Sequence, residues 1–581
     1  MEFRPIGPSP ADRERLIGRV MRHPTVQKEL GGNRHRLLSL HYLYPGAKTG
    51  RTAVPRRYRA TIYDYDANRG LSVEGSVKGT AAPKIRELDA QPLPSREEWR
   101  EAVKVLRRHK ELGPRIREGR LIPYRAMPLV QEGAASDGRP GRVLTVGLRP
   151  RRGTRGHRIA GVDMGTRSII LLHSHGGACG APDADQTLLQ SATGQGAFRI
   201  EGPAGTELWR FEVIRPAATE GEYGSGIELR NVRYRRKLVL AWGGIPIQNV
   251  NYEDLDGSCG RSDSHGVDRM FLAYLDPTKY EGWFHVPPGG RDFGGGFREC
   301  LAPPSTILES GVDEGNFQGV AIYRDAPDWV LVTELESGWY RYVMEWRLGD
   351  DGTIRPRIAW SAVQTGCVCS IHHHHAYWRF DFDIGEASRN RFLEYNQPHG
   401  APKGTWAAVT AEKKVDRERP PPDSDTTLEE IRRTLDRAFR SDHQTADEIT
   451  RRLEEDLRRS GVLPEPGPVR YWRVENVDTQ DAYDIIPGWA DGSWRHAGHP
   501  FGDGDVWLLH EKPGEREQSA RANEPSHHAN IDKWVDAEPI DGADVVMWYA
   551  VHSTHDGEPG VPHGQLVGPI LRPARWESPP A

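Results

Sequence analysis

"CSIHHHHAYWRFDFDI", residues 369–384, is the stretch that decides how this chain reads. Four consecutive histidines run into a segment that alternates apolar and charged residues. Such alternation marks a β-strand, in which successive side chains point to opposite faces. Over 371–384, His372, His374, Ala376, Trp378, Phe380, Phe382 and Ile384 share one face. His373, His375, Tyr377, Arg379, Asp381 and Asp383 share the other. Two histidines therefore stand at the edge of an apolar face, where an imidazole needs a partner. A His-x-His pair on a strand can chelate one metal ion, and neutral imidazoles with an open position suit copper or zinc. The competing reading is a polar, solvated tract that binds nothing specific. A third ligand from elsewhere separates the two, and "WYAVHSTHDGEPG" offers His552 and His555 after another strand-like run.

Working outward, the same alternation recurs in short runs separated by Gly, Pro, Asp and Asn: "LWRFEVIRP", "GIELRNVRY", "KLVLAWGG", "DWVLVTEL", "VWLLHEK" and "DVVMWYAV". This spacing predicts a large antiparallel β-sandwich over 195–577. Two smaller units precede it. "SPADRERLIGRVMRHP" from Ser9 and "SREEWREAVKVLRRHK" from Ser95 each carry a capping Ser, acidic residues in the first turn and apolar residues at helical spacing. The second has the capping box Ser95…Glu98. β-rich runs follow each helix, so two small α+β modules are expected over 1–92 and 93–188. The fold class is thus α+β and mostly β. Residues 402–425 are polar and Pro-rich, and two amphipathic helices with capping boxes Thr426…Glu429 and Thr445…Glu448 follow. They read as a helical insertion at 415–465.

The 581 residues exceed one ordinary core. A net charge of -4 gives no bulk argument for nucleic acid or a membrane surface as partner. There is no apolar leader at the start and no run of 18 apolar residues, so neither a signal peptide nor a membrane span is expected. Five scattered cysteines, Cys179, Cys259, Cys300, Cys367 and Cys369, suit free thiols in a reducing cytoplasm.

Several stretches taken in order resemble one family, the copper-containing amine oxidases that build a topaquinone cofactor from their own tyrosine. The family's His-x-His segment running into Arg-apolar-Asp-apolar-Asp is matched by "HHHHAYWRFDFDI". The resemblance implies His372 and His374 as copper ligands. "DVVMWYAVHSTH" matches the strand that carries the third ligand and implies His555. "FLAYLDP" matches the segment of the proton-abstracting base, which implies Asp276 as that base and Tyr274 as a channel gate. "WYRYVMEWRLGDDGTI" aligns with the cofactor strand and implies Tyr340 as the quinone precursor. Asn251-Tyr252-Glu253 is closer to the cofactor motif in its letters but stands out of family order. Asp381, Asp383 and Asp544 match a second, structural site that takes calcium through oxygen ligands. The two small modules are expected to be cystatin-like, and the assembly a homodimer.

The activity implied is oxidative deamination of a primary amine by O2, giving an aldehyde, ammonia and hydrogen peroxide. The quinone does the hard step and the protein positions it. Two residues depart from the family pattern. Trp339 stands where an Asn is usual, and Arg341 where an acid is usual. Arg341 is expected to pair with Glu345 or another acid. These departures leave two other readings open: a copper oxidase or oxygenase without the quinone, and a non-catalytic copper-binding protein that engages a partner through the inserted helices. His373 and His375, on the far face, are expected at the surface or behind the ligands.

Overall fold

The computed structural model describes residues 1–6, 8–43, 55–88, 91–134, 140–151, 158–172, 195–202, 205–216, 225–252, 272–275, 281–310, 315–337, 340–362, 372–398, 401, 403–417, 449, 452, 469–488, 490–492, 502, 504–512, 515, 531–555 and 566–576. β-Strand dominates, in four sheets.

The helix Pro10–Arg22 begins at a closed capping box: Ser9 accepts a hydrogen bond from the Asp12 amide, and Asp12 accepts one from the Ser9 amide. It packs with Pro24–Leu30 on a four-stranded meander, His35–Leu43, Arg57–Asp64, Arg69–Ser76 and Lys84–Glu87, around Leu16, Val20, Leu40, Ile62 and Val73. The arrangement recurs. Helices Arg96–Leu106 and Leu112–Arg117 cover the meander Leu121–Ala134, Pro140–Pro150, Arg158–Asp163 and Ile169–Leu172, with its own core of Trp99, Val103, Leu144, Val146 and Ala160.

The Ser95…Glu98 box forms only by half. Ser95 Oγ accepts from the Glu98 amide at 3.0 Å, but the Glu98 carboxylate turns away. It accepts from Arg142 Nε and Nη2, both at 2.7 Å, and from the Tyr65 hydroxyl at 2.7 Å. Arg142 in turn lies 4.4 Å from the Tyr63 ring. A capping carboxylate competes poorly with a buried guanidinium that offers a two-pronged bond. Glu98 and Arg142 both belong to the second unit, and Tyr65 and Tyr63, at the end of the strand Arg57–Asp64, bring the first meander against the pair.

The two large sheets form the sandwich. One runs Glu2–Pro5, Gln195–Glu201, Glu207–Ile214, Ser225–Tyr234, Lys237–Tyr252, His372–Phe382, Val545–His555, Val506–His510, Lys413–Val415, with Leu272–Leu275 paired beside Lys237–Tyr252. The other includes Phe297–Cys300, Val320–Asp325, Asp328–Ser337, Tyr340–Gly349, Ile354–Ala362 and Ile570–Arg575 in adjacent order. All its pairings are antiparallel except Phe297–Cys300 with Val320–Asp325, which is parallel. Glu2–Pro5 lies within the span expected for the first module, yet it pairs with Gln195–Glu201 at the edge of the sandwich. Phe3 anchors it there, with its ring 4.9 Å from both Phe198 and Phe293.

Between the sheets lies one aromatic core. Trp346 and Trp378 meet edge to face at 5.3 Å, and the indole N–H groups of Trp346 and Trp209 donate across to the carbonyls of Ile227 and Gly349. Trp209 and Trp346 thus each remove a large apolar surface from water without stranding the indole donor. The helical insertion expected at 415–465 lies almost wholly outside the described residues, and Lys413–Val415 at its start is an edge strand. Cys300 is a buried free thiol whose pKa burial pushes up to about 11. The other cysteines lie outside the described residues.

Glu98 and Arg142 are both fully buried, so their separation has a defined cost. Glu98→Gln leaves an uncompensated buried cation and is expected to lower stability by about 3–5 kcal/mol, read by urea denaturation. Replacing both residues by methionine should recover most of that loss. Equal destabilisation by the single and double changes would show that an unpaired Arg142 is not what weakens the single variant.

Candidate metal centre

The strand His372–Phe382 pairs on one side with Lys237–Tyr252 and on the other with Val545–His555. The second pairing runs without a register shift from His372 opposite His555 to Phe382 opposite Val545. His374 stands opposite Ser553, two positions from that histidine pair. On the other flank Val250 lies opposite both His374 and Tyr274, so Tyr274, Val250, His374 and Ser553 form one row across four strands. Tyr252, two positions further along its strand, lies opposite His372. The backbone therefore gathers His372, His374 and His555 at one corner of the sheet and brings the Tyr274 segment to the same row. Asp276 and Trp339 lie outside the described residues.

The described side chains fill in the corner. His374 is buried on the inner face, towards the facing sheet. Three aromatic residues of that sheet close on its imidazole. The Tyr340 ring meets it edge-on at 4.5 Å, Tyr342 at 5.8 Å, and Trp360 lies tilted at 5.6 Å. Tyr342 and Trp360 are cross-strand partners, and Tyr340 is two residues before Tyr342 on the same face. Tyr342 Oη lies 3.3 Å from His374 Nδ1. A histidine bonded at one ring nitrogen presents the other in a fixed direction, the usual way a protein orients a metal ligand. Of these, sequence reading named Tyr340 and His374 and missed Tyr342 and Trp360. The alternation Tyr340–Arg341–Tyr342 was a signal for the first; Trp360 depends on a strand pairing no local pattern reveals.

Arg341 points to the opposite face from Tyr340. Its cross-strand neighbour is Glu336, and Glu345 instead accepts from Arg347 Nε at 3.0 Å. Burial raises the pKa of Glu336, but Arg341, Arg125 and Arg96 outweigh it and hold the carboxyl below its usual value. Of the acids expected to face Arg341, Glu345 or another, the cross-strand neighbour is Glu336.

His373 and His375 are buried on the outer face rather than exposed. His375 Nδ1 lies 2.6 Å from His552 Nδ1, and His552 Nε2 lies 3.1 Å from Asp505. Burial lowers the pKa of His552 against the pull of Asp505. His552 therefore serves this outer relay, while the register assigns His555 to the corner.

At the far end of the same strand, carboxylate oxygens of Asp381, Asp383 and Asp544 all lie within 4.8 Å of one another. Asp381 and Asp383 are fully buried. Gathered buried carboxylates repel unless a cation lies among them, and oxygen donors at this spacing suit a hard divalent ion. Arg379, 3.8 Å from Asp381, is engaged with Glu511 as well. A second acidic group, Glu412, Asp536 and Glu538, already has Lys512 at 3.1 Å from both Asp536 and Glu538.

No family model matches the sequence, and no curated protein matches it. Solved structures do. The chain resembles a lysyl oxidase from Pichia pastoris, at 13% identity over 93% of this chain and 85% of that one, with a TM-score of 0.47. It resembles an amine oxidase from Aspergillus nidulans at 12% identity over 97% and 86%, with a TM-score of 0.48. With a copper-containing benzylamine oxidase from Hansenula polymorpha the TM-score is 0.54, at 10% identity over 94% of each chain, and the two share an overall fold.

Proposed function

We propose that this chain is a copper-dependent oxidase that deaminates a primary amine to an aldehyde, with release of ammonia and hydrogen peroxide. The observation that carries the reading is the corner at which strand register gathers His372, His374 and His555 while the Tyr340 ring rests against His374. The shared fold supports it. Register sets His372 opposite His555, two positions along the strand from His374. Three imidazoles at such a corner suit copper with a position left for water or a phenolate.

Copper held there, together with a quinone formed from Tyr340, supplies the redox chemistry by which two electrons pass from the amine to O2. The protein's own groups do the rest. Tyr342, bonded at Nδ1, leaves Nε2 of His374 as its ligand atom. Tyr340 is held between the sheets with its ring fixed by Tyr342 and His374. Asp276 takes the proton from the carbon that bears the amine, and Tyr274, in the row of His374, gates the approach. Asp381, Asp383 and Asp544 hold calcium. That ion secures the far end of the strand whose near end carries two ligands. Trp339 in place of the usual Asn favours a second reading, the same copper centre without a quinone.

Metal-free protein given Cu(II) in air is expected to develop a visible band that reacts with a hydrazine, and Tyr340→Phe to bind copper without the band. Copper binding with no band in either protein would select the second reading; no copper binding would sink both. Tyr342→Phe should weaken copper binding about 10- to 100-fold by freeing the His374 ring, with a changed nitrogen pattern in the Cu(II) electron paramagnetic resonance spectrum. An unchanged spectrum and affinity would remove Tyr342 from the centre. Calcium at a hundredfold excess over its Kd should stabilise the fold by about 2.7 kcal/mol. In Asp383→Asn that thermal shift should vanish, and a shift that persists there would place calcium elsewhere.

A further inference from the structure

The first small sheet has a face that its two helices do not cover. Tyr58, Ala60, Ile62, Leu71 and Val73 pack beneath the helices, so alternation sends Arg59, Ser72, Glu74, Lys84 and Arg86 to the other side. Register sets them in two rows across three strands, Arg59–Glu74–Lys84 and Thr61–Ser72–Arg86. Arg59, Ser72, Glu74, Lys84 and Arg86 line a half-open cavity of about 200 Å³.

Its charge is uneven. Glu74 is already engaged: one carboxylate oxygen accepts from Arg59 Nε at 2.8 Å and the other from Arg57 Nη2 at 2.8 Å. Lys84 and Arg86 have no carboxylate partner among the described residues. Guarding an edge strand against pairing explains charges on Lys84–Glu87. It does not explain the floor. Ser72 is 1% exposed, and its hydroxyl has no hydrogen-bond partner among the described residues. A buried hydroxyl left unpaired is a standing cost to the fold, and a native structure keeps few of them.

We infer that this groove binds a tetrahedral oxyanion, a phosphate or sulfate group. Ser72 Oγ donates to it from the floor, and Arg59, Lys84 and Arg86 donate from the walls. The charge-assisted bonds supply affinity, and the hydroxyl sets the depth at which the group rests. The site lies in the first small module and does not depend on the copper reading.

The test is calorimetric titration of the full chain with inorganic phosphate at low, constant ionic strength, with chloride as the control. Saturable binding is expected for phosphate and not for chloride. Lys84→Gln with Arg86→Gln, both exposed positions, should weaken it by at least about tenfold, the loss expected when charged donors become neutral. Ser72→Ala should weaken it several-fold while leaving the Tm of ligand-free protein unchanged or higher. A hydroxyl kept for structure would instead lower that Tm. Phenyl phosphate separates the sources: tighter binding than inorganic phosphate marks the groove as a seat for the end group of a larger molecule, and weaker binding marks it as a seat for the free ion. Absence of saturable phosphate binding, or binding that neither variant changes, would overturn the proposal.

Discussion

The pairing of His372–Phe382 with Val545–His555 is the constraint on which the candidate centre depends. Because side chains alternate along a strand, a slip of one residue would turn every side chain to the other face. His373 and His375 would then look into the sandwich and His374 away from it. The observed pairing has no shift along its length, whereas the pairing on the other flank has two. Several contacts oppose a slip. Trp378 rests against Trp346 of the facing sheet, and the Tyr549 hydroxyl donates to Asp491 at 2.5 Å, a carboxylate that also accepts from the Gly488 and Gly568 amides. On the outer face the His375–His552–Asp505 relay fixes the same register from behind. A misplaced pairing would break this buried polar chain and the aromatic contact together.

The two faces of one strand thus divide the work. The inner face offers an imidazole to a cup of aromatic rings from the other sheet. The outer face spends its histidines on holding the strand in place. Four adjacent histidines look like one feature in the sequence, but they serve two environments a sheet's thickness apart.

Much of this was legible from alternation alone. The faces of 371–384, the sandwich and the two helix-plus-meander modules all follow from period-two and helical patterns. What escaped was non-local. Glu2–Pro5 joins a strand nearly two hundred residues away because Phe3 finds Phe198 and Phe293 there, which no local pattern encodes. Ser95…Glu98 reads as a capping box until Arg142 becomes a competitor for the carboxylate. For His373 and His375 the choice between the surface and a place behind the ligands stayed open, because nothing near them in sequence announces His552 and Asp505 as neighbours. Trp360 became part of the centre only through the pairing of its strand with Tyr340–Gly349.

The centre's position at the ends of strands has a physical consequence. Tyr340 and His372 begin their strands, and His555 ends its own. Below them the interior is closed by Trp346, Trp378 and Phe380. Among the described residues the centre therefore lies at the end of the sandwich where these strands begin and end. The groups that hold the imidazole belong to strands paired along their whole length, which fix side chains more closely than loops do. The orientation of His374 is set by Tyr342 and Trp360 from the opposite sheet. The imidazole is thus positioned across the sandwich, from a sheet other than its own.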